Sequence, residues 1–403
     1  MDRHMSTMTN RTLAITALLL ALGTPAAAQQ QSEAEFESWR IPGWSFTPGI
    51  AIGVTRDSNV ALSAPGDTGK ADADSLFAME PSGSLEFFSP RSEFSAGYRG
   101  YLRRYMEIDE LNGFDQRLQV VFRHQATKRV TIFARDHYMD VPTTDEVFLN
   151  GLPFVRTGSR TNGFVSGAET RLTKFTNLNG RYELTWVDFD NEGTFLTGGW
   201  VNGFHVDVAH RFTERATFGG EYSIRFADLN QGTRSMRFND AGAVLSYALG
   251  PRTMFTAAAG LSHLADDLQH ETRTAPYFRA AIVQNLEAAS VGASFERSFV
   301  PSFGFGGSNE SQEVRAYVHM PIPRNRAYVQ ASVAWRHSIP YVSTDLELDS
   351  ILARSTLGYA LARWFRVEGF YAFTRQDSKV TGGEINRHRI GAQVVISQPM
   401  RIQ

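Results

Sequence analysis

The stretch Phe218-Gly219-Gly220-Glu221-Tyr222-Ser223-Ile224-Arg225-Phe226 places Phe218, Gly220, Tyr222, Ile224 and Phe226 on one parity and Gly219, Glu221, Ser223 and Arg225 on the other. Successive side chains of a β-strand point to opposite faces, so this segment predicts a strand with one apolar, aromatic face and one polar, charged face. Phe365 to Thr374 repeats the pattern. There Phe365, Val367, Gly369, Tyr371 and Phe373 alternate with Arg366, Glu368, Phe370, Ala372 and Thr374. The same two-faced reading holds around Phe204 to Ala209, Glu313 to Val318 and Arg389 to Ile396.

Working outward, the alternation predicts eighteen strands. Their spans are 46–56, 75–88, 91–103, 114–126, 128–140, 160–173, 177–190, 199–212, 215–228, 235–249, 252–265, 274–286, 289–299, 311–321, 325–338, 348–362, 364–376 and 384–398. Connections alternate between tight turns, such as Ser89-Pro90, Thr213-Glu214 and Gly250-Pro251, and longer polar stretches at 57–74, 141–159, 300–310 and 339–347. An even strand number with short turns on one side and long loops on the other is the pattern of an outer-membrane barrel. The expected fold is therefore all-β, a closed antiparallel transmembrane β-barrel of 16–18 strands. Aromatics near strand ends, at Trp44, Phe46, Phe87, Phe88, Trp200, Trp335, Tyr341, Trp364 and Phe365, suit interfacial girdles. A soluble sandwich, solenoid or propeller would bury one face and show interior strands apolar on both sides, or a repeat of fixed length.

Composition agrees. The chain has 29 Phe, 13 Tyr and 34 Gly without long apolar runs, as expected for a sheet between lipid and water. No cysteine is present, which excludes disulfides, thiolate metal sites and a lipid-modified cysteine. The net charge of −2 gives no basic footprint for nucleic acid. At the start, Arg3 and Arg11, the apolar run Leu13 to Leu22, and Ala26-Ala27-Ala28 read as a secretory signal peptide. The domain expectation is a signal peptide at 1–28, a periplasmic extension at 29–45 and a barrel at 46–403, with both ends periplasmic.

An eighteen-strand barrel is wide enough for an aqueous lumen, and the chain is too short for a folded plug domain. The polar parity puts Arg99, Arg103, Arg117 and Arg123 on two neighbouring strands as one basic wall, with Glu93 nearby. Further lumen charges are Arg181, Glu183, Glu221, Arg225, Glu313, Arg315, Arg366, Glu368 and Arg389. Guanidinium groups lining a pore favour carboxylates and phosphates. Alternatively, these arginines pair with acids across strands and simply hydrate the interior. Tyr101, Tyr317, Tyr328 and Phe370 share the lumen parity, either as platforms for sugar rings or as packing groups. No nucleophile–base pair, metal-ligand spacing or phosphate-cradling glycine motif occurs, so no catalytic, cofactor or metal residues are expected.

The segments Thr47 to Gly53, Phe114 to Arg123 and Arg129 to Tyr138 resemble an outer-membrane β-barrel porin family found with exopolysaccharide synthesis and export systems. The resemblance covers the mature chain and is carried by pattern and strand number. It implies an exit conduit for a secreted polysaccharide, with anionic polysaccharide, a periplasmic polysaccharide-export protein and outer-membrane lipid as partners. The chain departs from the usual aromatic barrel ending, since its last strand is followed by Gln398-Pro399-Met400-Arg401-Ile402-Gln403. The other functional reading is a general or nutrient-uptake porin, and a third is a structural or adhesive barrel. A long loop folded inward would mark the nutrient porin. Its candidate is 141–159, which carries Phe148, Leu149, Leu152, Pro153 and Phe154.

Overall fold

The computed structural model describes residues 42–64, 73–147, 149, 151–190, 196–229, 234–267, 271–322, 326–341, 347–378 and 383–402. The expected signal peptide and most of the expected extension lie outside these residues. The strands are β1 (Gly43–Asp57), β2 (Asp74–Phe88), β3 (Ser92–Tyr105), β4 (Gly113–His124), β5 (Val130–Val141) and β6 (Ser159–Arg171). There follow β7 (Thr176–Phe189), β8 (Gly199–Arg211), β9 (Ala216–Leu229), β10 (Arg234–Gly250), β11 (Thr253–Asp266) and β12 (Glu271–Asn285). The rest are β13 (Ser290–Pro301), β14 (Ser308–Ile322), β15 (Ala327–Pro340), β16 (Leu348–Ala362), β17 (Phe365–Ser378), β18 (Gly383–Ser397) and the short β19 (Met400–Ile402). Each long strand pairs antiparallel with its neighbours in sequence, and β1 pairs with both β2 and β18, so the sheet closes on itself.

The expected eighteen strands are all present, their ends within three residues of expectation. The chain end differs. Met400, Arg401 and Ile402 pair with Phe46, Ser45 and Trp44, so β19 prolongs β18 along β1 beyond the interruption at Gln398-Pro399. Proline has no N–H to give the ladder, which explains the break. The aromatic closure expected at the last residue is supplied by Trp44 instead, whose ring lies 4.9 Å from Phe87 and 5.9 Å from Phe94.

The short turns reuse one device. Thr127 Oγ1 accepts the N–H groups of Arg129 and Val130 at 3.1 and 3.0 Å. Thr173 Oγ1 does the same for Phe175 and Thr176, and Thr213 Oγ1 for Arg215 and Ala216. Ser89 plays this part for Ser92 at 2.9 Å. A hydroxyl that satisfies the turn's own N–H groups favours a tight reversal.

The two parities separate as the alternation requires. Val54, Leu102, Leu118, Phe204, Val206, Phe218, Tyr222, Ile282, Val333 and Tyr371 are exposed on the outside. Arg103, Asp115, Arg181, His205, Glu313, Arg336 and Glu368 are buried inside. A closed sheet satisfies every strand within itself, and a lipid-facing apolar band around a polar interior makes this a membrane-spanning barrel. Inside, several aromatics lie over glycines of the next strand. A Cβ added at Gly292 would meet the Tyr317 ring at 2.3 Å, at Gly358 the Tyr328 ring at 2.2 Å, and at Gly391 the Phe370 ring at 2.5 Å. These rings are therefore spent on the wall, which answers the choice between sugar platforms and packing groups in favour of packing.

Two substitutions test the lipid assignment. Val206→Arg, in the middle of β8, is expected to lower barrel stability by about 2–4 kcal/mol, and Phe212→Arg at the short-turn rim by about 0–1 kcal/mol. Denaturant titration of refolded protein in bilayers reads both values, and equal effects at the two depths would contradict the assignment.

Candidate functional site in the barrel lumen

The connection between β5 and β6, residues 142–158, is the longest one the sequence marked as partly apolar, and it folds inward. A single 3-10 turn, Thr144–Glu146, starts it. Thr144 ties the loop to itself: its N–H donates to the Val155 carbonyl at 3.0 Å and its hydroxyl donates to the Pro153 carbonyl at 2.6 Å. Val147 and Leu152 bury themselves against Val141, with Leu149, Met139 and Phe189 around them. Phe154 packs with Leu62, Ala64 and Ile385.

From there the loop reaches other walls. The Phe154 N–H donates to Gln376 Oε1 at 2.6 Å, and Gln376 Nε2 donates back to the Leu152 carbonyl at 3.2 Å, making a rung on β17. Gly151 sits so close to β14 that an added Cβ would fall 1.6 Å from Asn309 Nδ2, and its φ of +72° favours glycine in any case. In a ring of eighteen strands β14 lies nine places from β5, directly opposite. Arg156 donates to the Val60 carbonyl at 2.9 Å. The segment thus crosses the lumen.

An ionic clamp fixes the crossing. Arg387 on β18 donates to Asp57 Oδ2 at 2.6 Å and to Asp145 Oδ2 at 2.8 Å, with all three side chains essentially inaccessible to solvent. Next to it, Glu146 accepts from Arg389 at 2.9 Å and from Arg117 at 2.8 Å. Three acids therefore meet three guanidiniums. Burial alone would raise the Glu146 carboxyl, yet the surrounding Arg389, Arg117 and Arg387 hold it down at about 2.

The expected basic wall is real as a line of residues but not as bare charge. Arg103 pairs with Asp115 at 2.7 Å, both buried, and Arg123 makes two bonds to Glu169, at 3.2 and 2.7 Å. Arg117 is taken by Glu146, as above. Glu93 faces Arg123 in the register, and Arg99 faces Arg117. Arg103 thus pairs with the adjacent strand, Arg123 with a strand two places away and Arg117 with an acid of the crossing loop. The other lumen residues pair likewise: Arg181 with Glu183, Arg225 with Asp240 at 2.9 Å, Glu221 with Arg279, and Arg315 and Arg336 with Glu313. Arg366 bonds Glu368, which also accepts from Tyr328 and from Gln393 at 2.6 Å.

One region keeps a surplus. Arg99, Arg117, Arg354, Arg366 and Arg389, on neighbouring strands from β16 round to β4, fall within Coulombic reach of one another through Arg99 or Arg354, and face Glu80, Glu146 and Glu368. With Arg387, Asp57 and Asp145 of the adjoining clamp included, six guanidiniums face five carboxylates among the described residues, a surplus of one beside the crossing loop.

Sequence reading missed Asp57, Asp145, Glu146 and Arg387. Arg387 shares the parity of Arg389 and was legible by that alone. The two acids follow Thr144 in the loop, where alternation gives no guidance. Among the described residues the histidines form no nucleophile relay. His337 bonds Asp349 at 2.9 Å beside Glu347 at the loop rim, with ligand atoms within 4.8 Å, and no further feature there indicates a metal.

No protein-family model matches this sequence, and no curated protein matches it. Solved barrels of similar shape include OccAB4 of Acinetobacter baumannii, at 9% identity and TM-score 0.47, covering 90% of this chain and 99% of that one. OpdQ of Pseudomonas aeruginosa matches at 9% identity and TM-score 0.44, covering 89% and 98%. OpdK of Pseudomonas aeruginosa, solved with vanillate, matches at 10% identity and TM-score 0.44, covering 88% and 99%.

The clamp makes two measurable statements. Arg387→Met strands two buried carboxylates, a defect of about 3–5 kcal/mol, which is expected to undock the loop while the barrel survives. Trypsin added from the loop side should then cut after Arg156, which wild type protects. Second, because the docked Glu146 titrates below its ordinary range, its contribution is full above about pH 4.5 and disappears as pH falls through about 2. Cleavage or channel noise that already rises between pH 7 and pH 5 would contradict this.

Proposed function

We propose that the chain is an integral outer-membrane channel for uptake of small water-soluble nutrients, with a preference for anions. The observation that carries this reading is the crossing loop. A segment docked on three walls by Asp145–Arg387, Phe154–Gln376 and Gly151 at Asn309 narrows the lumen to what can pass beside it. Selection by size and charge at one narrow level suits small solutes. The surplus of guanidinium beside the loop supplies the preference, since Arg binds carboxylate and phosphate in a planar, two-point manner.

Passage of a polysaccharide would require the same loop to leave its ion-paired, buried site. The export reading and its polysaccharide and periplasmic partners therefore draw no support from the lumen's geometry. An adhesive barrel has no need of unbalanced charge at its narrowest level.

Planar-bilayer recording tests the proposal. Wild type should show a small, anion-preferring conductance, blocked by small carboxylates and indifferent to acidic oligosaccharides. Arg354→Gln should lower the anion preference, and removal of residues 143–157 should raise the conductance several-fold. A large conductance in wild type that oligosaccharides block would restore the export reading and sink this one.

A further inference from the structure

The short-turn rim carries its charge unevenly. Three consecutive turns, β4–β5, β6–β7 and β8–β9, hold Lys128, Arg129, Lys174 and Arg215, and the strand ends beside them add Arg171 and Arg211. Against these six cations the same turns offer one acid, Glu214. All six side chains are exposed, and among the described residues none of them makes an ion pair. On the next two turns the sign is balanced, with Arg252 meeting Glu287 at 2.9 Å.

The three turns form one continuous arc. The Arg171 N–H donates to the Arg129 carbonyl and the Arg211 N–H to the Phe175 carbonyl, each at 2.8 Å, so every turn leans on the next. Successive turns are two strands apart, about 10 Å, close to the screening length of about 8 Å in physiological salt. Like charges at that spacing repel, and the arc is relieved only by anions beside it.

The level of the arc is set by apolar neighbours. Phe212, 66% exposed, continues the lipid-facing parity of Val206 and Val208 on β8. Leu172 and Phe175 are exposed in the turn between β6 and β7. The Arg211 guanidinium lies 5.3 Å from the Phe175 ring centroid, and its Nη2 donates to the Lys174 carbonyl at 3.5 Å. Apolar side chains at the end of a lipid face mark the edge of the hydrocarbon, and basic side chains just beyond it reach the phosphate layer.

We propose that this arc is a binding surface for an anionic glycerophospholipid of the leaflet on the short-turn side. The cations take the head-group phosphate, and the acyl chains lie outside the wall along Leu172 and Phe212. A zwitterionic head group would bring a further cation to a place that already holds six. An acidic soluble protein matches the charge from the aqueous side, but Phe175 and Phe212 in the same turns put these cations beside lipid.

The test uses the full chain in phosphatidylcholine vesicles with a trace of phosphatidylglycerol bearing a diazirine high on one acyl chain. Saturable labelling of peptides around 124–130, 171–176 and 211–216 is expected, displaced by unlabelled phosphatidylglycerol. Lys128→Gln, Arg129→Gln, Lys174→Gln and Arg215→Gln together should lower the affinity about tenfold or more, since one basic side chain near an anionic surface is worth about fivefold. Arg129→Lys with Arg215→Lys should keep it. All these positions lie outside the strands, and Thr127, Thr173 and Thr213 still hold the turns, so the barrel is expected to fold. Labelling that phosphatidylcholine displaces equally well, or that spreads evenly to the turns of Arg252 and Arg363, would overturn the proposal. So would labelling that the four substitutions leave unchanged. Displacement by soluble polyglutamate and not by phosphatidylglycerol would assign the arc to an acidic protein instead.

Discussion

A backbone in hydrocarbon has no water to bond, and each unsatisfied N–H or C=O there costs several kcal/mol. Almost everything in this chain follows from that constraint. It forces the sheet to close, as β1 does by pairing with β2 on one side and with β18 and β19 on the other. Closure gives every strand an outside and an inside, and period-two alternation becomes obligatory through the band. Where the constraint relaxes, above the band, strands part, as β12 and β13 do beyond Phe278. Among the described residues the buried ring that breaks parity, Phe299, is found there and not lower down.

The interior obeys a second rule. Charges held in a narrow, partly dry lumen must find partners, because desolvation is not repaid by water. Most luminal arginines therefore meet an acid, on an adjacent strand as Arg103 meets Asp115, on their own strand as Arg181 meets Glu183, or on the crossing loop as Arg389 meets Glu146. The exception is local and sits beside the crossing loop. The Asp57–Arg387–Asp145 arrangement needs both a strand-borne and a loop-borne acid on one cation. Neither carboxylate is tolerable there without the guanidinium. An ionic clamp of this kind is a weak source of net stability, but it holds the loop in place, because either carboxylate displaced from Arg387 would be left buried and unpaired.

The strands were legible because two-faced alternation is imposed residue by residue. Phe218 to Phe226 reads as a strand in any context, and its polar parity holds Glu221 and Arg225, which pair with Arg279 and Asp240. Pairing partners were less legible. Register decides that Arg123 meets Glu169 two strands away, and no pattern within either strand states it. Asp145 and Glu146 lie in a loop, where position depends on what the loop touches across the barrel. The mixture of Leu149, Leu152 and Phe154 with acids signalled only that the loop packs somewhere. Gln398-Pro399 read as an end, and it proved an interruption, since Met400 to Ile402 find partners in Trp44 to Phe46.

The two halves of the lumen are joined through the crossing loop. Its acidic start, Asp145 and Glu146, lies with Arg387, Arg389 and Arg117 on the charged side. Leu149, a few residues later, packs both on Val147 and Leu152 of its own loop and on the apolar cluster that receives Phe299. Only two residues separate Glu146 from Leu149, so the loop's ionic anchor and its apolar anchor share one short tether. Chain connectivity alone therefore ties the charged side of the lumen to the apolar cluster on the other.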